Sequence, residues 1–217
     1  MLATVETFWD RDLTDHSSLP GWSWGHLLTH LARNADALGN LLSWARTGVE
    51  TPMYRSKQQR DDDINVGATR PGGVLLSDVA DSAARLWSAA ELLAPSDWDS
   101  DVVTAQGRTI PAAQVPWLRL REVAIHHVDL GASFEDLPRE LAAALLDDVM
   151  TSLRTKPGWP SLRIEPTDGG HATTIGDGPT AQVKGTGAQL LGWLTGRCEG
   201  SELIRSSDAL PPLPAWL

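Results

Sequence analysis

The sequence predicts an α+β protein in which an up-and-down bundle of four helices precedes a small α+β domain with a short antiparallel sheet. Three observations favour this class. Apolar residues recur at helical spacing in the first part of the chain, prolines and glycines interrupt that spacing, and short alternating segments replace it after Gly131. We therefore place a domain boundary near residue 132, with one domain at residues 1–132 and the other at 133–217.

The first two helices are predicted from apolar spacing and from the break between them. The first helix is short and begins near Leu2. After the break at residues 20–21, Ser23 is a candidate N-cap for a long second helix that ends at residues 47–48. An apolar stripe along this second helix indicates that one face packs in a core. The members of the stripe are Leu27, Leu28, Leu31, Ala35, Leu38, Leu41 and Leu42.

Two further helices follow after a long polar segment. Residues 48–70 have only scattered apolar positions, and we interpret them as a connection, which at this length is usually functional or mobile. The third helix is predicted over residues 71–93 and the fourth over residues 111–131, and each begins at a proline. Between them, residues 98–110 have the pattern of an extended segment with a turn at Gly107.

The predicted C-terminal domain mixes short helices with short strands. Alternating segments separated by turns rich in glycine and aspartate are typical of strands in a small sheet. The predicted elements are a helix at 137–153, strands at 162–165, 172–175 and 181–184, a helix at 188–194, a strand at 203–204 and an extended tail at 211–214.

Composition excludes several classes of partner. The chain has 18 Lys and Arg against 28 Asp and Glu, which gives a formal net charge of −10, so its surface repels nucleic acid. Its apolar runs are shorter than the roughly 20 residues of a membrane span, and no signal peptide is visible. Cys198 is the only cysteine and cannot form an internal disulfide. We expect a cytoplasmic monomer without a nucleic-acid or membrane partner.

Four of the six histidines lie in two of the predicted helices. His26 and His30 are four residues apart on the second helix, and Glu122 and His126 are four apart on the fourth, with His127 adjoining. Residues at this spacing share a helix face, and two such faces in a bundle core can surround one metal ion. Zinc accepts imidazole and carboxylate ligands. Histidines on the helix surface or hydrogen-bonded in the core are an equally good interpretation of the pattern alone.

Motifs of one known family are spread over nearly the whole chain. They lie at residues 19–22 (LPGW) with the following His26-x-x-x-His30, and at 50–54 (ETPMY), 104–109 (TAQGRT), 121–131 (REVAIHHVDLG), 196–197 (GR) and 212–217 (PLPAWL). In these residues the chain resembles the mycothiol-dependent maleylpyruvate isomerase family, a branch of the DinB-like superfamily of metal-dependent thiol transferases. The histidine-bearing helices are shared across the superfamily, whereas segments 50–54 and 104–109 are more specific to the isomerases.

The resemblance implies a fold, a metal and a thiol. It implies that the helical domain is a DinB-like bundle in which His30, Glu122 and His126 hold Zn²⁺ or another divalent metal, with water or a thiol in the open position. It implies mycothiol as the low-molecular-weight thiol, although it assigns no residues that bind this cofactor. It also implies that Arg197 of the C-terminal domain is a catalytic, substrate-binding residue of an active-site cleft.

The implied reaction is the isomerisation of maleylpyruvate to fumarylpyruvate, a step of gentisate-type aromatic degradation. Adding a thiolate to the cis double bond makes it single, so that rotation and loss of the thiol give the trans product. The substrate is a small dicarboxylate, which needs a cation in a protein of net charge −10. Arg197 is the first candidate and Arg108 the second, since guanidinium pairs bidentately with carboxylate. Arg121 is equally consistent with a surface or ion-paired helix position.

Two alternatives remain open from the sequence. One is another mycothiol S-transferase of the same superfamily, which would share the metal and thiol sites but not the dicarboxylate site. The other is a non-catalytic metal-binding bundle, which would lose stability without metal and show no thiol-dependent reaction. We interpret Cys198 as incidental, because the sequence has no second cysteine that could resolve it and the exogenous thiol already supplies the nucleophile.

Overall fold

The structure is a computed structural model that describes residues 1–8, 11–154, 156–177, 180–207 and 209–214. The predicted mixed α+β class is confirmed. The chain divides into two compact units, Met1–Leu130 and Gly131–Leu217. Trp9 of the predicted first helix and the last three residues of the C-terminal motif lie outside the described residues.

The first unit is mostly helical. Its helices are α1 (Leu2–Glu6), α2 (Trp24–Thr47), α3 (Lys57–Gly67), α4 (Gly72–Glu91) and α5 (Val115–Asp129), with a hairpin of β1 (Asp101–Val103) and β2 (Thr109–Pro111) before α5. Helix α2 is central, because it packs against α3, α4 and α5. Its predicted apolar stripe is fully buried, which explains why this helix anchors the core. None of the helices in the described part of the chain is both long and apolar enough to span a membrane.

Helix α3 lies within the segment that we interpreted as a connection. Ser56 caps it by accepting a hydrogen bond from the backbone N–H of Gln59 at 3.0 Å, and a side-chain hydrogen bond of 2.8 Å joins Gln58 to Asp62. Its buried residues are Ile64 and Gly67. Since so little of α3 is buried, it lacks the apolar stripe by which the other helices were predicted.

The described residues of the second unit form two α-helices and a four-stranded sheet. The elements are α6 (Arg139–Leu153), β3 (Leu162–Pro166), β4 (Thr173–Ile175), β5 (Ala181–Gly185), α7 (Gly187–Leu194) and β6 (Ile204–Arg205), in the strand order β4-β3-β5-β6. Both edge pairs are antiparallel, as predicted, but β3 and β5 pair in parallel. The reason is that β4 reverses the chain on one side of β3, and β5 then returns on the other side. Alternation alone does not specify that order.

An ion-pair network joins α2 and α4 in the first unit. The carboxylate of Asp78 accepts hydrogen bonds from Arg33 at 2.8 Å and from Arg70 at 2.7 Å. Burial alone would raise the pKa of Asp78, but these two arginines outweigh it and lower the pKa below 3.8. Such a carboxyl group stabilises the fold above its unfolded pKa, and that stabilisation is lost as the pH falls through the lower folded pKa.

Replacing Asp78 with asparagine is expected to lower the free energy of unfolding at pH 7 by about 1–2 kcal/mol, because the amide has no negative charge for Arg33 and Arg70 and one acceptor oxygen instead of two. The deficit should shrink as the pH falls from the unfolded value of 3.8 through the lower folded pKa, where the wild-type carboxylate of Asp78 becomes protonated. Urea unfolding at several pH values measures both effects. Asp81→Asn, an exposed change on the same helix, is the control. Equal stability of the wild type and Asp78→Asn at pH 7 would contradict the expectation.

Candidate metal centre

Helix α2 begins with a capping box that determines the role of its first histidine. The Ser23 hydroxyl accepts a hydrogen bond from the His26 backbone N–H at 3.4 Å, and the Ser23 backbone N–H donates to Nδ1 of His26 at 3.2 Å. His26 therefore caps the helix. His30 follows one turn later and is only 5% exposed.

His30 of α2 meets Glu122 and His126 of α5. Its Nε2 atom lies 3.1 Å from Oε2 of Glu122 and 3.1 Å from Nε2 of His126. The distance between Oε2 of Glu122 and Nε2 of His126 is 3.6 Å. Both histidines are buried, and the Glu122 side chain is 22% exposed. The structure thus brings the three predicted ligand residues together, with their ligand atoms all within 4.8 Å of one another.

The three ligand atoms fit a tetrahedral metal ion. Zinc bonds of about 2.0–2.1 Å place tetrahedral ligand atoms about 3.3 Å apart. The separations of 3.1, 3.1 and 3.6 Å lie around this value. Two imidazole nitrogens and one carboxylate oxygen are also a set that zinc accepts, and three protein ligands leave a fourth position for water or a substrate atom. His30, Glu122 and His126 are therefore the residues that could hold a metal.

The electrostatics of the cluster suit metal binding. Burial lowers the pKa of His30, although its hydrogen bond with Glu122 opposes this shift. Burial would raise the pKa of Glu122, but the hydrogen bond with His30 and the charges around it lower the pKa to about 2. At neutral pH the cluster therefore offers a neutral imidazole and an ionised carboxylate, which are the forms that ligate a metal.

A buried carboxylate orients His126 through Nδ1, the ring nitrogen that does not face the cluster. Oδ2 of Asp129 lies 2.8 Å from Nδ1 of His126, and Asp129 is 2% exposed. The Ser18 hydroxyl donates to the other carboxylate oxygen at 3.3 Å. A carboxylate that accepts the Nδ1 proton leaves the Nε2 lone pair directed at the cluster. Asp129 was not among the predicted site residues, although it lies three residues after His126 and on the same helix face.

Replacing Asp129 with asparagine is expected to weaken zinc binding about 10- to 100-fold, because the amide is a poorer acceptor for the His126 Nδ1 proton. Competition with a chromophoric chelator measures the affinity. The control is Asp101→Asn, which removes an exposed carboxylate from the same unit. Unchanged zinc affinity in Asp129→Asn would mean that Asp129 does not orient His126.

Three residues that were not among the predicted site residues lie near the cluster. Arg60 of α3 places Nη2 3.4 Å from Nδ1 of His30, and its guanidinium carbon lies 5.9 Å from the centre of the Tyr54 ring. Arg119 of α5 donates from Nη1 to the Leu31 carbonyl at 2.8 Å. Arg60 and Tyr54 belong to the segment interpreted as a connection, where only the family-specific motif at 50–54 gave a signal.

The predicted arginines belong to three different segments of the chain. Arg108 is exposed in the turn of the β1–β2 hairpin, where Gly107 has a φ of +76°. Arg121 precedes Glu122, and its positive charge contributes to the low pKa of that carboxyl group. Arg197 lies in the second unit after α7, where its Nη1 donates to the Thr195 carbonyl at 2.6 Å. The substrate-binding roles of Arg197 and Arg108 stay predictions. Cys198 is exposed.

Two long helices that bring histidines and a carboxylate together in a bundle core are typical of helical metalloproteins. Residues 1–131 match the family model of the mycothiol maleylpyruvate isomerase N-terminal domain. This match covers more than half of the chain, so the chain belongs to the mycothiol maleylpyruvate isomerase family.

Solved structures extend this likeness over both units. The chain is similar to the crystal structure of the mycothiol-dependent maleylpyruvate isomerase, with 32% sequence identity, a TM-score of 0.92 and coverage of 99% of this chain and 92% of that chain. A structure of a histidine-to-alanine mutant of that isomerase gives the same values. None of the curated proteins matches this chain significantly.

Proposed function

We propose that this protein catalyses the cis–trans isomerisation of maleylpyruvate to fumarylpyruvate, with mycothiol as cofactor and with Zn²⁺ or another divalent metal held by His30, Glu122 and His126. The observation that carries the proposal is the convergence of these three side chains in a member of the isomerase family. The similarity to a mycothiol-dependent maleylpyruvate isomerase over nearly the full length of both chains supports the choice of substrate and thiol.

The chemistry needs a thiolate that adds to the alkene and later leaves. A bound zinc ion lowers the pKa of a thiol, so that the thiolate is present at neutral pH. Addition forms a carbon–sulfur bond and moves the π electrons onto the conjugated carbonyl oxygen, which leaves a single bond that can rotate. Return of these electrons re-forms the double bond in the trans geometry and expels the thiolate. The thiol is therefore regenerated in every turnover.

The residues of the chain have separate tasks in this scheme. Glu122 stays ionised and the His126 ring is held by Asp129, so both keep a lone pair directed at the ligand position. A guanidinium near the substrate binds a carboxylate and stabilises the charge that develops on the carbonyl oxygen. We propose Arg197 for this task, as the family resemblance implies, with Arg108 as a second substrate-binding residue.

An absorbance assay of maleylpyruvate tests the function directly. The zinc-loaded protein should convert the substrate when mycothiol is added and should be inactive without a thiol. Conversion without thiol would overturn the proposed mechanism. Consumption of mycothiol by a general electrophile, with no isomerisation of maleylpyruvate, would instead identify a thiol S-transferase.

A further inference from the structure

Arg60 joins the histidine–glutamate cluster to an open cavity. It lies beside His30 on one side, and together with Tyr54 it lines a cavity of about 190 Å³ on the other. The walls of this cavity come from α2, from residues 52–55 and from α3. A ligand in the cavity would therefore lie within reach of the Arg60 guanidinium, close to the cluster.

The present ion pair of Arg60 is easily exchanged. Its Nη1 lies 2.7 Å from Oδ1 of Asp61, whose side chain is 42% exposed. Ion pairs at such exposure are weak, because water screens the charges and side-chain entropy opposes the contact. Arg33, which lines the same cavity, is held by two carboxylates, those of Asp36 and Asp78, at 2.8 Å each. Arg60 is thus better placed than Arg33 to accept a carboxylate from a ligand.

Tyr54 and Arg119 add to the attraction for an anion. Burial raises the pKa of Tyr54 although Arg60 opposes the shift, so the phenol keeps its proton and can donate a hydrogen bond. Arg119 is held by the Leu31 carbonyl and by Oδ1 of Asn34, and its Nη2 has no hydrogen-bond partner within the described part of the chain. The charge of Arg119 also opposes the rise in the pKa of Tyr54, so Arg119 adds positive potential near the cavity.

The contact between Arg60 and His30 is incompatible with a metal on His30. A histidine that binds a metal through Nε2 carries its proton on Nδ1, and guanidinium offers only donors. Two donors cannot share a hydrogen bond, so metal binding at Nε2 releases Arg60 from His30. His126 differs from His30 in this respect, because its Nδ1 lies 2.8 Å from the carboxylate of Asp129, which can accept the Nδ1 proton.

We propose that Arg60 and Tyr54 form a carboxylate-binding subsite beside the cluster, and that metal binding at His30 makes the Arg60 guanidinium available to it. The choice of a dicarboxylate as the ligand rests on the proposed function. The planar guanidinium binds one carboxylate group through two parallel hydrogen bonds, and the phenol donates a third. In this proposal the first unit also contributes residues that bind the substrate, in addition to Arg197 of the second unit.

Calorimetric titration with maleate, a cis-dicarboxylate, tests the subsite without any thiol. The zinc-loaded wild type should bind maleate, and Arg60→Gln should bind it at least about 10-fold more weakly, because a charge-assisted hydrogen-bond pair is lost. Arg60→Lys should be intermediate, since the charge remains without the planar fork. The control Arg46→Gln removes an exposed charge from the end of α2 and should leave maleate affinity unchanged. Equal affinity in Arg60→Gln and wild type, or no maleate binding by the wild type, would overturn the proposal.

The zinc affinity of Arg60 variants distinguishes a substrate-binding role of Arg60 from a structural role in the metal cluster. Arg60→Gln should bind zinc at least as tightly as the wild type, because the lost group is a cation that faces a ligand histidine. Weaker zinc binding in this variant would make Arg60 a structural support and would contradict the subsite. A wild type that binds maleate through Arg60 but isomerises nothing would refute the proposed function alone. Isomerisation with an unchanged KM in Arg60→Gln would refute the subsite alone.

Discussion

Replacing His30 or His126 with alanine is expected to abolish thiol-dependent isomerisation and to reduce bound zinc to background. Each change removes one of three ligand atoms that lie 3.1–3.6 Å apart, and a two-ligand site does not retain the ion at ordinary concentrations. Without the metal the thiol is mostly protonated, so we expect a loss of at least about a thousand-fold in kcat/KM. Elemental analysis of protein never exposed to chelator, together with the absorbance assay, measures both effects.

His26→Ala is the matched control for these variants, because it removes a histidine from the same helix one turn earlier. Its ring belongs to the capping box of α2, so the expected cost is about 1 kcal/mol of stability with zinc and activity retained. An inactive but zinc-loaded His26→Ala protein would assign His26 to the active site. A full equivalent of zinc in His30→Ala would show that the metal lies elsewhere.

The cluster was predictable because both of its helices have strong local signals. The apolar stripe, the Ser23 cap and the terminal glycine define α2, which runs from Trp24 to Thr47 as expected. With the helices placed, the spacing of Glu122 and His126 is enough to put both on one face of α5. The meeting of the two faces follows from the burial of that stripe in a bundle core.

The surroundings of the cluster were not predictable in the same way. Helix α3 buries so little surface that its sequence resembles a polar connection, and Arg60 therefore had no predicted position. The contacts of Arg119 and Asp129 depend on how α2 and α5 are rotated towards each other, which spacing within one helix does not specify. The parallel pairing of β3 with β5 likewise depends on strand order and not on local alternation.

Arg197→Ala is expected to lower kcat/KM about 100-fold or more while leaving the zinc content unchanged. Arg197 lies in the second unit, whereas His30, Glu122 and His126 all lie in the first, and the family resemblance implies that both units contribute to catalysis. Loss of a guanidinium that binds a substrate carboxylate removes a charge-assisted hydrogen-bond pair. Arg197→Lys should also be impaired, because an ammonium group retains the charge but not the planar fork.

The kinetic parameters of the Arg197 variants distinguish two roles for this residue. An arginine that holds the carboxylate equally in the ground state and the transition state acts mainly on KM, whereas one that meets charge developing after thiolate addition acts on kcat. We expect both parameters to change, since one guanidinium can hold a carboxylate and face the carbonyl oxygen. Arg163→Ala, an exposed change in the same unit, is the control. Unchanged kcat and KM in Arg197→Ala would show that this arginine has no part in the active site.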